Sequence, residues 1–413
     1  MERVILHSDL NNFYASVECL YHPELRNKPV AVGGDAQLRH GIVLAKNEKA
    51  KRCGVQTGEA LWQAKQKCPE LVFVPPNFQR YLKYSKMAKE IYQEYTDQVE
   101  SFGLDECWLD LTASTRLFGS GVKVADQVRQ RIKFELGVTA SVGVSFNKIF
   151  AKLGSDLKKP DATTEITREN FKQRVWPLPV EALLYVGGAT KTKLNRYGIQ
   201  TIGQLANAQR NFLEYRLGKN GFMLWAFANG HDASPVADGD TSSKIKSIGN
   251  STTAPRDLIS DQDIKITLYI LCESVAERLR DHGLECATVQ ISIRDKELFS
   301  YQRQGKLDAP SCTAKDIFQL AYALFEKNHT NGKPIRSIGV RACQLTAQGH
   351  VQLSFLPEKI QAQNRQNLES SVDEIRRRYG HFSIQRGLML TDKQLSNLDP
   401  KGDHIIFPES FLK

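Results

Sequence analysis

The chain has 413 residues, 41% of them hydrophobic and 25% charged, which is globular composition and enough length for two to four domains of ~150 residues. Its 56 Lys and Arg exceed its 46 Asp and Glu, so the formal net charge is +10 and favours a polyanionic partner. A membrane is disfavoured, because no apolar run approaches ~20 residues and neither a secretory signal nor a lipidation motif is recognisable. Eight cysteines without a Cys-x-x-Cys pair exclude a thiolate zinc ribbon and indicate reduced thiols in a cytoplasmic protein.

The first 165 residues predict a sheet with helices on one face. In chain order we expect a strand at 4–10, an Asn-capped helix from Phe13, a basic helix at 47–53 between short strands, a hairpin at 99–112, a helix at 122–135, a strand at 138–144 and a helix opened by 145–148. This order resembles a split βαβ sheet.

Beyond Pro160 the predicted strands give way to short helices over 165–232, punctuated by glycines. A turn-rich linker follows, and then a second α+β unit. Its predicted helices are 261–280 and 314–327, and its strand-like pieces are 246–253, 287–293, 298–304 and 338–345. The last 60 or so residues are polar and charged, which predicts partial disorder, and Arg376, Arg377 and Arg378 read as a solvated face.

Three carboxylates, Asp9, Asp105 and Glu106, fall at predicted strand ends. Placed side by side they would repel one another unless a cation lay between them, and Mg²⁺ prefers such hard oxygen ligands. Two such ions can align an attacking hydroxyl and a pyrophosphate leaving group. The alternative interpretation makes Asp105-Glu106 a solvated turn and Asp9 a helix cap.

Longer motifs around these acids decide between the two interpretations. The segments that carry the signal are Asp9 with 13–18 (Phe-Tyr-Ala-Ser-Val-Glu), 104–106 with Leu109-Asp110, and 145–152 (Ser-x-Asn-Lys-x-Phe-Ala-Lys) through Lys159-Pro160. Together they resemble the Y-family translesion DNA polymerases, the DinB/UmuC-like or ImpB/MucB/SamB proteins. The resemblance runs in order over residues 4–356.

The resemblance implies a set of site residues. Asp9, Asp105, Glu106 and the backbone carbonyl of Leu10 would ligate two Mg²⁺ ions, with Mn²⁺ tolerated. Tyr14 matches the steric gate that blocks a ribose 2′-OH. The other residues expected at the dNTP are Phe13, Asn47, Lys51 and Lys159.

One segment departs from the family pattern. The expected Asn-Tyr-Glu-Ala-Arg, whose Tyr and Arg grip the triphosphate, stands here as Asn47-Glu48-Lys49-Ala50-Lys51. Lys51 keeps a positive charge without the bidentate fork of Arg, and Glu48 adds a negative charge near the phosphates. The departure bears on nucleotide affinity more than on the reaction.

Further segments predict contacts with DNA and a partner protein. Residues 186–206 resemble a helix-hairpin-helix, in which Gly187, Gly188 and Lys191 would contact a DNA phosphate; a helix C-cap is the alternative. In the C-terminal α+β unit, Lys246, Ser247, Arg336 and Arg341 are the expected backbone contacts. The peptide Gln352-Leu353-Ser354-Phe355-Leu356 resembles a sliding-clamp-binding motif; a terminal strand edge is the alternative.

We therefore expect an α+β, multidomain right-hand polymerase that works as a monomer in low-fidelity translesion synthesis and the SOS response. The expected parts are a split βαβ palm (1–18 and 78–165), small fingers (19–77), an all-helical thumb with a helix-hairpin-helix (166–234), a linker (235–245), an α+β little finger (246–346) and a tail with the clamp peptide (347–413). Two alternatives are a nucleotidyl cyclase, which has no primer to hold, and a catalytically inactive DNA- or clamp-binding protein, which would not need the three acids.

Overall fold

The computed structural model describes residues 2–34, 41–237, 245–330, 332–349 and 357–402, and for 357–363 it describes the backbone alone. These residues form two compact units, the first made of 2–34 and 42–237 and the second of 245–402 with the gaps just given. In the described part of the chain, no helix combines the length and the hydropathy that crossing a bilayer requires.

The first part of the first unit contains eight strands, which form two sheets, and seven α-helices. In chain order they are β1 (Ile5–Leu10), α1 (Phe13–Tyr21), β2 (Val30–Gly33), β3 (Val43–Lys46), α2 (Glu48–Arg52), α3 (Leu61–Lys67), β4 (Val72–Val74), α4 (Phe78–Gln93), β5 (Val99–Ser101), β6 (Glu106–Asp110), α5 (Thr115–Phe118), α6 (Gly121–Arg131), β7 (Ala140–Ser145), α7 (Lys148–Leu157) and β8 (Thr163–Ile166).

The larger sheet has five strands in the order β5-β6-β1-β7-β8. Strand β1 lies at its centre, antiparallel to both β6 and β7, and every residue of β1 is buried. A strand that is covered on both faces must be apolar or must pair its polar groups, and β1 carries three polar residues in a row, His7, Ser8 and Asp9. Three consecutive buried polar residues in a central strand indicate that this part of the sheet does more than form the hydrophobic core.

Two predictions for this sheet are wrong. Strands do not end at Pro160, because β8 pairs in parallel with β7. Helix α1 also lacks an asparagine cap: Asn12 adopts a left-handed conformation (φ 50°) and makes no side-chain cap hydrogen bond. The side-chain amide of Asn12 donates instead to Glu48 Oε1 at 3.1 Å.

The smaller sheet, in the order β3-β2-β4, packs with α2 and α3 around its own apolar cluster. After β8 the first unit continues as five helices around a further cluster: α8 (Phe171–Val175), α9 (Gly188–Arg196), α10 (Ile202–Asn207), α11 (Arg210–Leu217) and α12 (Lys219–Ala228). The short helices predicted for 165–232 are thus observed beyond β8 in the described residues.

The second unit is a four-stranded antiparallel sheet with the order β11-β10-β12-β9, with helices packed on its apolar face. Its elements are β9 (Ser247–Leu258), α13 (Asp261–Asp281), β10 (Leu284–Asp295), β11 (Ser300–Ser311), α14 (Ala314–Asn328), β12 (Ile335–Ala347), α15 (Pro357–Tyr379) and α16 (Lys393–Ser396). The two predicted helices match α13 and α14 closely, whereas the strands extend further than predicted.

The predicted disorder of the C-terminal segment is wrong for residues 357–402. Met389 and Leu395 from this segment are buried in the core of the second unit. Arg376, expected on a solvated face, is 9% exposed in its side chain and pairs with Glu273 at 2.9 Å, while Arg377 and Arg378 are exposed as predicted. A polar segment can therefore be ordered when buried ion pairs supplement a few apolar anchors.

Candidate active site

The three predicted carboxylates converge because β1 and β6 are neighbours. In the antiparallel register Asp9 lies directly opposite Glu106, and the amide of Leu10 donates to the carbonyl of Asp105 at 2.9 Å. Asp9 is 6% exposed, whereas Asp105 and Glu106 are half-buried. The hairpin turn between β5 and β6 thus delivers two acids to the end of the strand that carries the first.

Two lysines from α7 and the residues after it lie against these acids. Lys159 Nζ is 2.7 Å from Asp9 Oδ2, and Lys152 Nζ is 2.7 Å from Glu106 Oε2 and 3.4 Å from Asp9 Oδ2. Asp156 accepts from both ammonium groups, at 2.9 and 3.4 Å. Helix α7 begins within the predicted segment 145–148 and is capped by Asn147, whose Oδ1 accepts from the Phe150 amide at 2.8 Å.

The electrostatics of the three acids are unequal. Burial, together with the negative charges of Asp9 and Glu106, raises the pKa of Asp105 to about 7. Burial also raises the pKa of Asp9, against the opposing charge of Lys159. Burial would raise the pKa of Glu106 too, but the contact with His7 and the charge of Lys152 lower it to about 2. The cluster therefore holds more negative charge than its surroundings comfortably neutralise.

This donor set fits a hard divalent cation. Carboxylate and carbonyl oxygens are the ligands that Mg²⁺ prefers, and mutual repulsion of the acids is relieved by a cation among them. Glu106 Oε2 is buried and makes no hydrogen bond of normal geometry, although the Lys152 ammonium is nearby. Within the described residues no three His, Cys, Asp or Glu side chains are already arranged as a metal site. The two lysines contact one carboxylate oxygen each of Asp9 and Glu106, Oδ2 and Oε2.

Tyr14 lies beside the acids in an aromatic cluster. Its ring stacks on Tyr81 with centroids 4.2 Å apart and planes 6° from parallel, and it also contacts Phe13 and Phe78. Burial, together with the charge of Asp105, raises the pKa of Tyr14 to about 12. Tyr14 is half-buried and Phe13 is 3% exposed within the core. Of the two predicted aromatic residues, Tyr14 is thus the one that is partly exposed.

The predicted triphosphate contacts on α2 are held by nearby groups. Asn47 caps α2, and its amide group binds the backbone of residues 28, 30 and 50. Lys51 Nζ lies 3.7 Å from Glu48 Oε1, the oxygen that also accepts from Asn12. Glu48, which departs from the family pattern, is therefore the acid that pairs with the Lys51 ammonium.

The predicted DNA contacts lie at several places within each unit. Gly187 caps α9 and Gly188 is its first residue, while Lys191 Nζ pairs with Glu181 at 2.6 Å. On the neighbouring strands β9 and β12, Ser247 and Arg341 are exposed and Arg336 is half-exposed; Lys246, also exposed, directly precedes β9. The predicted clamp-binding peptide, Gln352 to Leu356, lies outside the described residues.

Sequence reasoning missed two residues that contact the acids. Lys152 belonged to a quoted motif without an assigned role, and its spacing of seven residues from Lys159 gave no hint that both reach the same carboxylate. His7 is buried 3.2 Å from Glu106 Oε2. The available signal was strand alternation, because residues two apart on β1 share a face and Asp9 is two residues after His7.

The chain is similar over most of its length to known proteins. The impB/mucB/samB family model matches residues 8–156, and the model of that family's C-terminal domain matches 245–355. DNA polymerase IV of Acetivibrio thermocellus is 56% identical over 399 residues, covering 96% of this chain and 100% of that protein. DNA polymerase IV of Clostridium acetobutylicum is 37% identical, covering 95% and 100%, and DNA polymerase IV 2 of Bacillus subtilis is 38% identical, covering 94% and 95%.

A solved Y-family DNA polymerase chimera has the same fold. It superposes with a TM-score of 0.73 at 23% identity, covering 83% of this chain and 99% of that one. The α+β right-hand architecture expected from the sequence is thereby confirmed. Near-complete coverage of the relatives and both family-model matches agree, so the chain belongs to the impB/mucB/samB family of Y-family translesion DNA polymerases.

Proposed function

We propose that this chain extends a primer 3′-OH with dNTPs on a DNA template, and that Asp9, Asp105 and Glu106 are its catalytic carboxylates. The observation that carries the proposal is the convergence of the three acids at the ends of β1 and β6, with Lys152 and Lys159 beside them. Three acids in one place, one buried and two half-buried, are costly for a structural role and useful for holding cations.

Divalent-metal dependence follows from membership of the family; the finer assignment is ours. Two Mg²⁺ ions, replaceable by Mn²⁺, would be held by Asp9, Asp105, Glu106 and the Leu10 carbonyl. When bound, they supply charge stabilisation at the primer hydroxyl and the triphosphate. The carboxylates' own contribution is to present negative charge at fixed positions on a rigid sheet.

The nucleotide contacts are proposed from position and charge. Lys159 and Lys51 supply positive charge for the triphosphate, with Asn47 holding α2 in place. Tyr14 presents its ring edge beside Asp105 and would exclude a ribose 2′-OH, supported from behind by Phe13. Sugar selection of this kind needs a rigid wall, and the stack of Tyr14 on Tyr81 provides one.

The remaining surface would bind primer-template DNA without reading its sequence. Backbone amides at Gly187 and Gly188 with Lys191 suit one phosphate, and Lys246, Ser247, Arg336 and Arg341 suit others. We assign palm, fingers, thumb, linker, little finger and tail to the residue ranges predicted above. A monomer that reaches a sliding clamp through 352–356 and acts in damage tolerance, including the SOS response, completes the proposal.

Primer extension with Mg²⁺ tests the catalytic assignment. Asp105→Ala should reduce extension by at least about 100-fold, because it removes charge from the reacting centre. The matched control is Asp97→Ala, which removes an exposed acid between α4 and β5 and should extend as wild type does. Full extension by Asp105→Ala, or no extension by wild type, would contradict the proposal.

The sugar gate has its own measurement. Tyr14→Ala should raise incorporation of ribonucleotides relative to deoxyribonucleotides, because the ring edge that faces the sugar is removed. The relative kcat/KM for rNTP and dNTP on an undamaged template reports this directly. Unchanged sugar discrimination with normal dNTP incorporation would remove Tyr14 from the gate and leave the catalytic acids untouched.

A further inference from the structure

His7 lies behind the candidate catalytic acids, at the centre of the larger sheet of the first unit. It is 0% exposed, and its backbone lies opposite Trp108 on β6 and Gly143 on β7. The imidazole packs edge-on against the Trp108 indole, with ring centroids 5.2 Å apart and planes at 64°. Burying an imidazole is unfavourable unless both of its nitrogens have polar partners.

Both nitrogens face polar atoms. Nδ1 lies 2.9 Å from Ser155 Oγ, and Nε2 lies 3.2 Å from Glu106 Oε2. Neither Nε2 nor Glu106 Oε2 makes a hydrogen bond of normal geometry in the described structure, and both atoms are buried. Nε2 therefore has Glu106 Oε2 as its facing polar atom, while that oxygen also lies 2.7 Å from the Lys152 ammonium.

The hydroxyl of Ser155 decides which nitrogen of a neutral His7 carries the proton. That hydroxyl has one proton, and Oγ lies 2.7 Å from the Lys152 carbonyl as well as 2.9 Å from Nδ1. If Nδ1 carried the ring proton, the lone pair of Nε2 would face a carboxylate oxygen and repel it. If Ser155 instead donates to Nδ1 and gives up the Lys152 carbonyl, the protonated Nε2 faces Glu106 Oε2 at 3.2 Å, and the contact is electrostatically attractive.

We propose that His7 is a positioning residue that fixes the Glu106 carboxylate from behind. Its Nε2–H and the Lys152 ammonium, 2.7 Å from the same oxygen, hold Oε2 on the inner side. Oε1 is then the oxygen left to turn toward a cation shared with Asp9. This inference rests on the proposed function, in which Glu106 is a metal ligand.

Outer partners of this kind set the orientation and basicity of a ligand, and removing one typically weakens metal binding by about 10- to 100-fold. The probe is Mn²⁺ alone, titrated into the full chain and followed by electron paramagnetic resonance of the free ion. His7→Phe keeps an aromatic ring and removes both hydrogen-bonding nitrogens. We expect its Mn²⁺ affinity to fall by about 10-fold, at the lower end of that range.

Two further variants separate positioning from packing. His7→Gln retains an N–H that can reach Glu106 and should recover part of the lost affinity, which a purely structural role would not produce. His22→Gln, at an exposed histidine beyond α1, is the matched control and should bind as wild type does. If His7→Phe fails to fold, Ser155→Ala decides, because losing the partner of Nδ1 should weaken binding several-fold in a chain that keeps its ring.

The outcomes distinguish this inference from the proposed function. Unchanged Mn²⁺ affinity in folded His7→Phe, or in Ser155→Ala where His7→Phe does not fold, overturns the positioning role. Equal losses in His7→Phe and His7→Gln overturn it as well, since hydrogen bonding would then be irrelevant. If Asp105→Ala leaves extension intact, the proposed site itself fails, whatever the His7 variants do.

Discussion

Replacing Gly143 by alanine should displace the helix that carries the active-site lysines. Gly143 lies on β7, and a Cβ built there would meet the Ala151 carbonyl oxygen at 1.9 Å and the Ser155 amide nitrogen at 2.5 Å. Both atoms belong to the backbone of α7, so no side-chain rotation can relieve the overlap. Helix α7 rests on the sheet at a separation that only glycine permits.

The geometry sets the size of the effect. Ordinary contact begins at 3.4 Å, so α7 would have to retreat by about 1.5 Å from β7. Lys152 lies on α7 and Lys159 follows it, so both ammonium groups would move relative to Asp9 and Glu106. A displacement of about 1 Å at a reacting centre can cost roughly 100-fold in rate. Overpacking of this kind also destabilises by about 1–3 kcal/mol.

Extension rate and unfolding free energy should be measured on the same samples. We expect Gly143→Ala to lose at least about 100-fold in extension rate while remaining folded in the absence of denaturant. Gly387→Ala is the matched control, because a Cβ there meets nothing within 4 Å. Wild-type extension rate and stability in Gly143→Ala would refute the close approach of α7 and the positioning of the lysines that depends on it.

Three other variants test separate parts of the structure. Arg280→Met should lower the unfolding free energy of the second unit by about 3–5 kcal/mol in urea titrations, because it strands the buried Asp373 carboxylate, and adding Asp373→Leu should restore much of it; a loss below about 1 kcal/mol would contradict this. Arg256 strongly lowers the pKa of Asp263, so this pair stabilises the fold at neutral pH, and its contribution is lost as the pH falls below about 3.9 toward the pKa of Asp263 in the folded state. The difference in unfolding free energy between wild type and Arg256→Met should therefore shrink in that range. A difference that stays constant with pH would contradict the assignment. Lys159→Ala should raise the KM for dNTP by about 10-fold, whereas Lys158→Ala, which removes an exposed lysine next to it, should not, and equal KM values for the two would contradict the contact.

The positions of the three acids at strand ends could be predicted because they depend on local signals. The short run ending at Asp9 and the hairpin turn at Asp105-Glu106 each read as strand ends without knowledge of the rest of the chain. Their convergence also needed β1 and β6 to be neighbours, which the family motif supplied. His7 was invisible to the same reasoning, because its contact with Glu106 depends on the pairing register, and residue type alone favours an ordinary buried histidine.

Two misjudged segments failed for long-range reasons. Strand β8 has four residues, Thr163–Ile166, and gains its conformation from pairing with β7. The C-terminal segment is polar in composition, yet Arg280 reaches Glu369 and Asp373 across some 90 residues of sequence. A composition argument counts those charges as solvated, whereas in the structure they are paired and buried, and pairing over such separations leaves no local pattern to detect.

The net charge of +10 therefore says little about the site itself. Lys152 and Lys159 are bound to carboxylates there, so their charges are offset by the acids and add nothing to an attraction for DNA at long range. A bound divalent cation would neutralise part of the charge of Asp9 and Glu106 in place of the lysines, because these acids cannot interact fully with the cation and with the ammonium groups at the same time. The side chain of Lys159 is 26% exposed, against 14% for Lys152, and Lys159 lies beyond the end of α7. Lys159 can therefore turn to a triphosphate at less cost than Lys152, which is part of the helix. On this reasoning the two lysines are not equivalent: Lys152 belongs to the permanent support of Glu106, and Lys159 to the part of the site that responds to substrate.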